Sequence, residues 1–233
     1  MVRSSPEARL DRIIRAATQV FADRGFRRTQ MADVAAELGV SPGNLYNYVE
    51  SKDALFHACL VAASPTGESS GPRLRSLPLE TPAPGAAIAV VTEGMRWLRR
   101  AGPLRQALQL DDPDDVAAEL GGIIGDFYDR THATRLFQAI VERSAPDFPE
   151  LYEAFFVRTR RPALSGLTAY LERRIASGHL RPVPDVPATA RLINETQAWF
   201  ARHRGGDQDT QDVDDDAARS TVIDMLIAAL LPR

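Results

Sequence analysis

Apolar residues recur at helical spacing near the start of the chain. The positions that share this spacing are Leu10, Ile13, Ile14, Ala17 and Phe21. Arginines and Asp11 lie between them, which predicts an amphipathic helix from Pro6 or Glu7 to Arg24. Gly25 predicts the end of this helix, because glycine adopts the left-handed conformation and Phe26 can supply the apolar contact of such a cap.

Three shorter helices are predicted next. Thr29 is expected to cap the second helix, which ends at Gly39. Ser41 is expected to cap the third helix, whose inner face reaches Val49. Ser51 is expected to cap the fourth. The second and third would have roughly nine and eight residues, too few to be stable in isolation. Two such helices joined by a glycine-containing turn indicate a helix-turn-helix, whose second helix enters the DNA major groove.

The composition changes between residues 64 and 85. Five prolines, three glycines and four serines fall in this stretch, which predicts a flexible or partly extended linker. The expected domains are therefore a helix-turn-helix domain with its connecting fourth helix at 1–63, the linker at 64–85, and a helical regulatory and dimerisation domain at 86–233.

Helical periodicity returns after the linker. The predicted helices cover about 86–101, 114–130, 134–144, 149–178, 187–204 and 214–231. Pro162 is expected to kink the fourth of these. Because no long alternating pattern typical of strands occurs, the predicted fold is all-α, with an N-terminal three-helix DNA-binding domain joined to a larger C-terminal helical domain.

Composition and charge narrow the functional classes. The 233 residues are 44% hydrophobic and 25% charged, as in ordinary globular proteins. The net charge is −3, yet residues 1–30 hold seven arginines against three acidic residues. This local excess of positive charge suits a chain whose N-terminal part meets a polyanion. The alternative is that these arginines form a solvated helix face. No apolar run approaches the roughly 20 residues of a membrane span, and no secretory signal is visible, so a cytoplasmic protein is expected.

Little in the sequence suggests catalysis. Cys59 is the single cysteine, and the four histidines lack paired metal-ligand spacing. No nucleophile with a nearby base and no phosphate-binding glycine loop is apparent. We therefore expect neither a metal nor a cofactor, and we expect a protein that is not an enzyme.

One motif is specific. Residues 39–55, GVSPGNLYNYVESKDAL, closely resemble the recognition-helix signature of the TetR family of bacterial transcriptional regulators (TetR/AcrR type). Residues 21–35, FADRGFRRTQMADVA, resemble the end of helix one and the start of helix two in that family. The resemblance covers about residues 8–60. Gln30 stands where a second threonine is common, and Tyr48 where histidine is frequent.

Side chains on one arc of the third helix are candidates for reading DNA. Leu45 and Val49 would face the core, and Asn44 and Asn47 would face the groove, where an amide can pair with adenine N6 and N7. Gly43 would allow close approach of the backbone. The resemblance implies further contacts, mainly to phosphates, and the full predicted DNA-binding set is Arg28, Thr29, Gln30, Ser41, Pro42, Gly43, Asn44, Tyr46, Asn47, Tyr48 and Lys52.

Alternatives remain for several of these residues. Tyr46 is also compatible with a packing role, Asn44 with solvation only, and the pair Arg27 and Arg28 with a solvated surface. Lys52, the single lysine, lies at the start of helix four, where the helix dipole slightly disfavours a cation, so a phosphate partner would explain it.

The resemblance also implies a ligand pocket and a dimer interface in the C-terminal helices. Pocket candidates are Trp97, Phe127, Tyr128, His132, Phe137, Phe155 and Phe156, with ordinary core packing as the alternative. Arg135 and Gln138 could add polar groups. Interface candidates are Ile193, Phe200, Ile223, Ile227 and Leu230, because the last helix is apolar nearly all round.

The sequence thus favours a homodimeric regulator that binds a palindromic double-stranded DNA operator. We expect a repressor that a small apolar molecule releases. An activator, or a regulator without a small ligand, stays open within the family. The rival classes are an all-α enzyme and a partner-binding helical bundle.

Overall fold

The computed structural model describes residues 5–67, 77–204, 207, 209 and 212–232. Within these ranges the chain is helical, and the only bridge of β type is an isolated parallel pair between Val49 and Leu79. The helices are α1 Pro6–Arg28, α2 Met31–Leu38, α3 Pro42–Leu45, α4 Lys52–Ala63, α5 Ala86–Leu98, α6 Pro103–Ala107, α7 Val116–Ala133, α8 Arg135–Ser144, α9 Pro149–Tyr152, α10 Arg161–Ala176, α11 Val186–Ala198 and α12 Asp215–Leu230. The predicted all-α fold is confirmed.

The chain forms two compact units. Unit 1 comprises Met1–Leu98 and Leu136–Val157, and unit 2 comprises Arg99–Arg135 and Arg158–Arg233. Unit 1 therefore includes a segment far along the chain, and its limits do not coincide with the boundaries predicted at 63 and 85.

Local signals set the ends of the first helices. The Ser5 hydroxyl accepts a hydrogen bond from the Ala8 N–H at 3.1 Å and begins α1. Gly25 interrupts α1 with φ 77° and ψ 174°, and Gly39 ends α2 in the left-handed conformation. The residue that precedes α2 is Gln30 and not Thr29, and its N–H donates to the Asp33 carboxylate at 2.7 Å. This hydrogen bond lowers the pKa of Asp33.

Helix α3 is shorter than predicted. It covers only Pro42–Leu45, and the turn that follows ends at Val49, which is paired with Leu79. The pairing requires an extended backbone at Val49, so the helix cannot continue to that residue.

Unit 1 has an apolar core that combines the first helices with α5, α8 and α9. Phe21, Leu45 and Leu55 are fully buried there, as is Phe137 of α8. Hydrogen bonds from backbone N–H groups at the end of α1 join it to the distant segment. The Phe26 N–H donates to the Ser144 hydroxyl at 3.0 Å. The Arg27 N–H donates to the Asp147 carboxylate at 3.1 Å.

Unit 2 packs its own core around α7, α10 and α11. Leu120, Ile123 and Leu167 are fully buried in it. The guanidinium of Arg174 is also buried, and it donates to both carboxylate oxygens of Glu119 at 2.8 Å. Carbonyl groups at the end of α6 and in the segment after it accept its remaining donors, so this buried charge is fully paired.

The later helices lie close to the predicted ranges, with three differences. Helix α6 was not expected from the sequence. A π-helical segment, Glu153–Arg160, precedes Pro162, which stands in the first turn of α10, where a missing N–H is tolerated. A second π-helical segment, Trp199–His203, follows α11.

None of the described helices is both long enough and apolar enough to cross a membrane.

Candidate nucleic-acid interface

Helix α3 and the residues directly before and after it present an exposed surface. Its exposed residues, called here the reading face, are Ser41, Pro42, Gly43, Asn44, Tyr46 and Asn47. Leu45 and Val49 are fully buried beneath it. The short α3 and the turn after it are therefore held by these two apolar side chains, and the opposite side is left to solvent.

The amides of the reading face are available for recognition. Asn44 and Asn47 are exposed, and neither side chain makes a hydrogen bond to another residue in the described part of the chain. Tyr46 is 49% exposed. Tyr48 is half-buried and packs against the core of unit 1.

Gly43 is not required by the protein itself. A Cβ atom at this position would meet no other atom within 4 Å, and the backbone has no positive φ. The absence of a side chain thus leaves open space on the reading face, where another molecule can approach the backbone closely.

A segment of the predicted linker holds the end of the reading face. This segment, Leu77–Thr81, is called here the strap. The Leu79 N–H donates to the Tyr48 carbonyl at 2.7 Å, and the Glu50 N–H donates to the Leu79 carbonyl at 2.9 Å. Leu79 also packs against the core of unit 1. The strap therefore fixes the backbone on both sides of Val49.

Thr81 extends this attachment. Its N–H donates to the Glu50 carboxylate at 2.9 Å, and its hydroxyl lies 2.8 Å from the hydroxyl of Ser51. Ser51 in turn caps α4, because its hydroxyl accepts the Ala54 N–H at 3.1 Å. The strap is thus hydrogen-bonded to three residues of the connection between α3 and α4, namely Tyr48, Glu50 and Ser51.

Thr29 does not occupy the position predicted for a phosphate contact. Only 1% of Thr29 is exposed, and its hydroxyl donates to the Gly25 carbonyl at 2.8 Å. The side chain therefore stabilises the connection between α1 and α2 from within. This burial corrects the prediction that Thr29 contacts DNA.

Lys52 has a structural partner that the sequence did not reveal. Its ammonium donates to the carbonyl groups of Phe26 and Thr29, each at 3.1 Å. The Nζ atom also lies 4.2 Å from the centroid of the Phe26 ring. Two of its three N–H groups thus hold the connection between α1 and α2 against α4, and one remains for a phosphate.

Basic and polar side chains are exposed at the end of α1 and directly before α2. Arg28 is exposed, and its Nε donates to the Arg24 carbonyl at 2.9 Å. Arg24 pairs with Asp33 at 2.7 Å, and Gln30 is exposed beside them. An exposed amide surface bordered by basic side chains is typical of proteins that bind the DNA backbone and read base edges.

Two family models match the chain. The model of bacterial regulatory proteins of the tetR family matches residues 13–59, which include the reading face. The model of the C-terminal domain of AefR-like transcriptional repressors matches residues 115–229. Together these matches cover most of the chain.

The chain belongs to the TetR family of bacterial transcriptional regulators. It is accordingly a DNA-binding regulator of transcription. A relative with a similar sequence is the transcriptional repressor KstR2 of Mycolicibacterium smegmatis, which is 23% identical over 199 residues, 85% of this chain and 80% of the relative.

Solved structures of TetR-family proteins share the fold. The ketosteroid transcriptional regulator KstR2 of Mycobacterium tuberculosis is 16% identical, with 100% of this chain and 98% of that chain covered and a TM-score of 0.55. AibR, solved in complex with isovaleryl coenzyme A and operator DNA, is 16% identical, with 94% and 98% covered and a TM-score of 0.51.

The aromatic residues predicted to line a TetR-family ligand pocket fall into two groups. Trp97, Phe137, Phe155 and Phe156 belong to unit 1, and Phe127, Tyr128 and His132 belong to unit 2. Phe137 is fully buried against Gly94, where a Cβ atom would meet its ring. In unit 2 the rings of Tyr128 and His132 are parallel, with centroids 6.3 Å apart, and burial raises the pKa of Tyr128.

Two of the five residues predicted for the TetR-family dimer interface are covered by their own chain. Ile193 is 1% exposed and Leu230 is 3% exposed within the core of unit 2. Phe200, Ile223 and Ile227 are half-buried against the same core. The large apolar side chains exposed on α11, on α12 and just beyond α11 are instead Leu192, Met225 and Trp199. The helical spacing does not show which side of these helices the chain itself covers.

Proposed function

We propose that this TetR-family chain is a homodimeric repressor that binds a palindromic operator and is released by a small apolar molecule. The observation that carries the proposal is the reading face, where exposed Asn44 and Asn47 lie over buried Leu45 and Val49. A rigid surface of unpaired amides has little use within the protein, and it matches the donor and acceptor pattern of the major groove.

Asn44 and Asn47 are the proposed base readers. An asparagine amide pairs in bidentate fashion with N6 and N7 of adenine, and each good pair contributes about 1–3 kcal/mol of discrimination. Ser41 and Pro42 begin the helix at the groove, and Gly43 allows the backbone to approach the DNA. Tyr46, which is half exposed, is proposed to contact the backbone at the edge of the site.

The proposed phosphate contacts come from both sides of the reading face. Arg28 and Gln30 are exposed on one side. Lys52 contributes the N–H that is not donated to Phe26 or Thr29. The exposed part of Tyr48 contributes on the other side. Such contacts set the register of the protein on DNA without reading its sequence.

A dimer is proposed because a palindromic operator needs two reading faces. Leu192 and Met225 are 61% and 63% exposed, and Trp199 is 38% exposed. Helix-on-helix pairing of α11 and α12 with their copies would cover these side chains in a two-fold interface. Half-buried Phe200, Ile223 and Ile227 would border it. The two α3 helices would then lie about 34–36 Å apart, or a multiple of that distance, on B-DNA.

Release by a small apolar ligand is proposed as the regulatory step. AibR is solved with isovaleryl coenzyme A and operator DNA, and KstR2 is described as a ketosteroid regulator, which supports a small organic effector in this family. Phe127, Tyr128 and His132 on α7 are candidate contacts in unit 2, and Trp97, Phe155 and Phe156 in unit 1. The ligand must favour the state that does not fit DNA, and a coupling of about 1–3 kcal/mol gives a useful response.

The salt dependence of DNA binding tests this function. Fluorescence anisotropy with DNA from upstream of the chain's own gene is measured from 50 to 200 mM salt, with scrambled DNA as competitor. If 6–10 phosphates are contacted, the affinity falls by about 10³–10⁵ over this range. Binding that is independent of salt, or equal binding to scrambled DNA, would contradict the proposal.

A further inference from the structure

Unit 1 contains a cavity of about 410 Å³. It is called here the phenylalanine cavity, because Phe26, Phe56 and Phe148 contribute to its wall. The remaining wall comes from Asp53 of α4, from Thr81 at the end of the strap and the segment after it, and from the starts of α5 and α9. Its volume lies in the range of about 300–1,000 Å³ that is usual for sites of small organic molecules.

The phenylalanine cavity has an aromatic and aliphatic surface. The rings of Phe26 and Phe56 have centroids 4.9 Å apart and meet edge to face, and those of Phe26 and Phe148 are 5.3 Å apart in a similar arrangement. Ile88 and Leu151 add aliphatic surface. Such a wall favours a hydrocarbon body, because its burial removes apolar area from water.

Two carboxylates give the cavity its charge. Asp53 and Glu150 belong to the wall and are exposed, and no lysine or arginine among the described residues belongs to it. Neither carboxylate makes a hydrogen bond or ion pair with another side chain in the described part of the chain. The described part of the wall therefore carries acidic side chains and no basic one.

Lys52, the cation next to Asp53 in the chain, is held by the carbonyl groups of Phe26 and Thr29. Its ammonium lies 4.2 Å from the Phe26 centroid and forms no ion pair with Asp53. One face of the Phe26 ring thus has an ammonium group over it, which is the arrangement in which an aromatic ring attracts a cation.

We propose that the phenylalanine cavity binds an amphiphilic organic cation. The apolar body lies against the three rings, and the cationic head group contacts the carboxylates of Asp53 and Glu150. An anion with the same apolar body is rejected, because it faces two negative charges without a basic partner in the wall. The site is separate from the aromatic side chains proposed above for the apolar effector.

Three ligands with the same eight-carbon tail test the charge preference. Octyltrimethylammonium, 1-octanol and octanoate are titrated into the full chain by isothermal titration calorimetry, below their micelle-forming concentrations and without DNA. The cation is expected to bind at least tenfold more tightly than either of the others. Equal affinity for the cation and for 1-octanol would overturn the proposal.

Two variants locate the binding. The double change Asp53→Asn with Glu150→Gln is expected to reduce cation affinity at least tenfold and to leave 1-octanol unaffected. Ala87→Leu, which fills part of the cavity, is expected to weaken both. Glu37→Gln removes an exposed carboxylate of unit 1 outside the wall and serves as the matched control. Unchanged cation binding by the double variant would mean that the phenylalanine cavity is not the site.

The measurement does not depend on operator binding. A chain that binds octyltrimethylammonium but not DNA would refute the proposed repressor function and leave the cavity assignment standing, and the reverse result would refute the cavity alone. Thermal unfolding of each variant without ligand checks that the substitutions preserve the fold.

Discussion

The backbone of Gly25 lies directly against the carbonyl group of Arg143. A Cβ atom at Gly25 would come within 2.8 Å of the Arg143 carbonyl carbon and closer still to its oxygen. The φ and ψ angles of 77° and 174° also fall in a region that only glycine adopts readily. The break in α1 and its contact with α8 thus depend on the same residue.

Gly25→Ala should therefore destabilise the chain strongly. Backbone strain costs about 1–3 kcal/mol, and the overlap with Arg143 adds a similar amount, so the free energy of unfolding should fall by about 2–5 kcal/mol. Urea unfolding followed by circular dichroism measures this. Gly43→Ala is the control, because its Cβ meets open space and should change stability by no more than about 0.5 kcal/mol.

Replacing the amides of the reading face should abolish sequence preference. Asn44→Ala and Asn47→Ala should each cost about 1–3 kcal/mol of discrimination between operator and scrambled DNA. Weak, salt-dependent binding to any DNA should persist, because the phosphate contacts remain. Competition titrations with both DNAs give the ratio.

Gln109→Ala is the matched control for these amides, since Gln109 is exposed in unit 2. It should bind operator as the unmodified chain does. If the Asn44 and Asn47 variants retain full preference for the operator, these residues do not read bases.

The strap should contribute to DNA affinity without touching DNA. Leu79→Pro removes the N–H that donates to the Tyr48 carbonyl, and the loss of one such hydrogen bond costs about 1 kcal/mol. Because that bond fixes the end of the reading face, operator affinity should fall roughly fivefold. Anisotropy titrations at one fixed salt concentration measure the change.

Glu80→Pro separates this effect from the general effect of proline. Glu80 is exposed, and no hydrogen bond joins its N–H to the α3–α4 connection. Operator affinity should stay within twofold of the parent. Equal losses in the two variants would show that the Leu79–Tyr48 pairing does not support the reading face.

A charge on the exposed side of α12 should separate the proposed dimer. Met225→Glu would bury a carboxylate in the interface, at a cost of several kcal/mol, so the dimer dissociation constant should rise at least about thirtyfold. Sedimentation equilibrium measures it. Leu110→Glu, at a side chain 52% exposed outside α11 and α12, should leave the dimer intact.

The first four helices were predictable because their signals are local. Gly25 and Gly39 have the positive φ values that their positions suggested, and Ser51 caps α4 as expected. Such signals act within four residues of the chain, so one sequence contains all that is needed to find them. The family motif is also a continuous stretch of sequence, so it identified the residues of the reading face without any knowledge of distant contacts.

The remaining features depend on residues far apart in sequence. Leu79 ends the turn after α3 from 30 positions away, and Lys52 bonds to carbonyl groups more than 20 positions earlier. Thr29 is polar, so nothing in its type predicted that it would be buried. Leu192 and Ile193 are apolar and adjacent in sequence, and only packing distinguishes the covered side chain, Ile193, from the exposed one, Leu192.

The strap limits how this chain can be recombined with its relatives. A hybrid that takes only residues 1–63 would graft the reading face without the Leu79 amide and carbonyl that hold Tyr48 and Glu50. Residues 77–81 must accompany the donor sequence, and so must Ser144 and Asp147, which bond the end of α1. Engineers who exchange operator specificity between such regulators should therefore transplant three separate stretches of sequence.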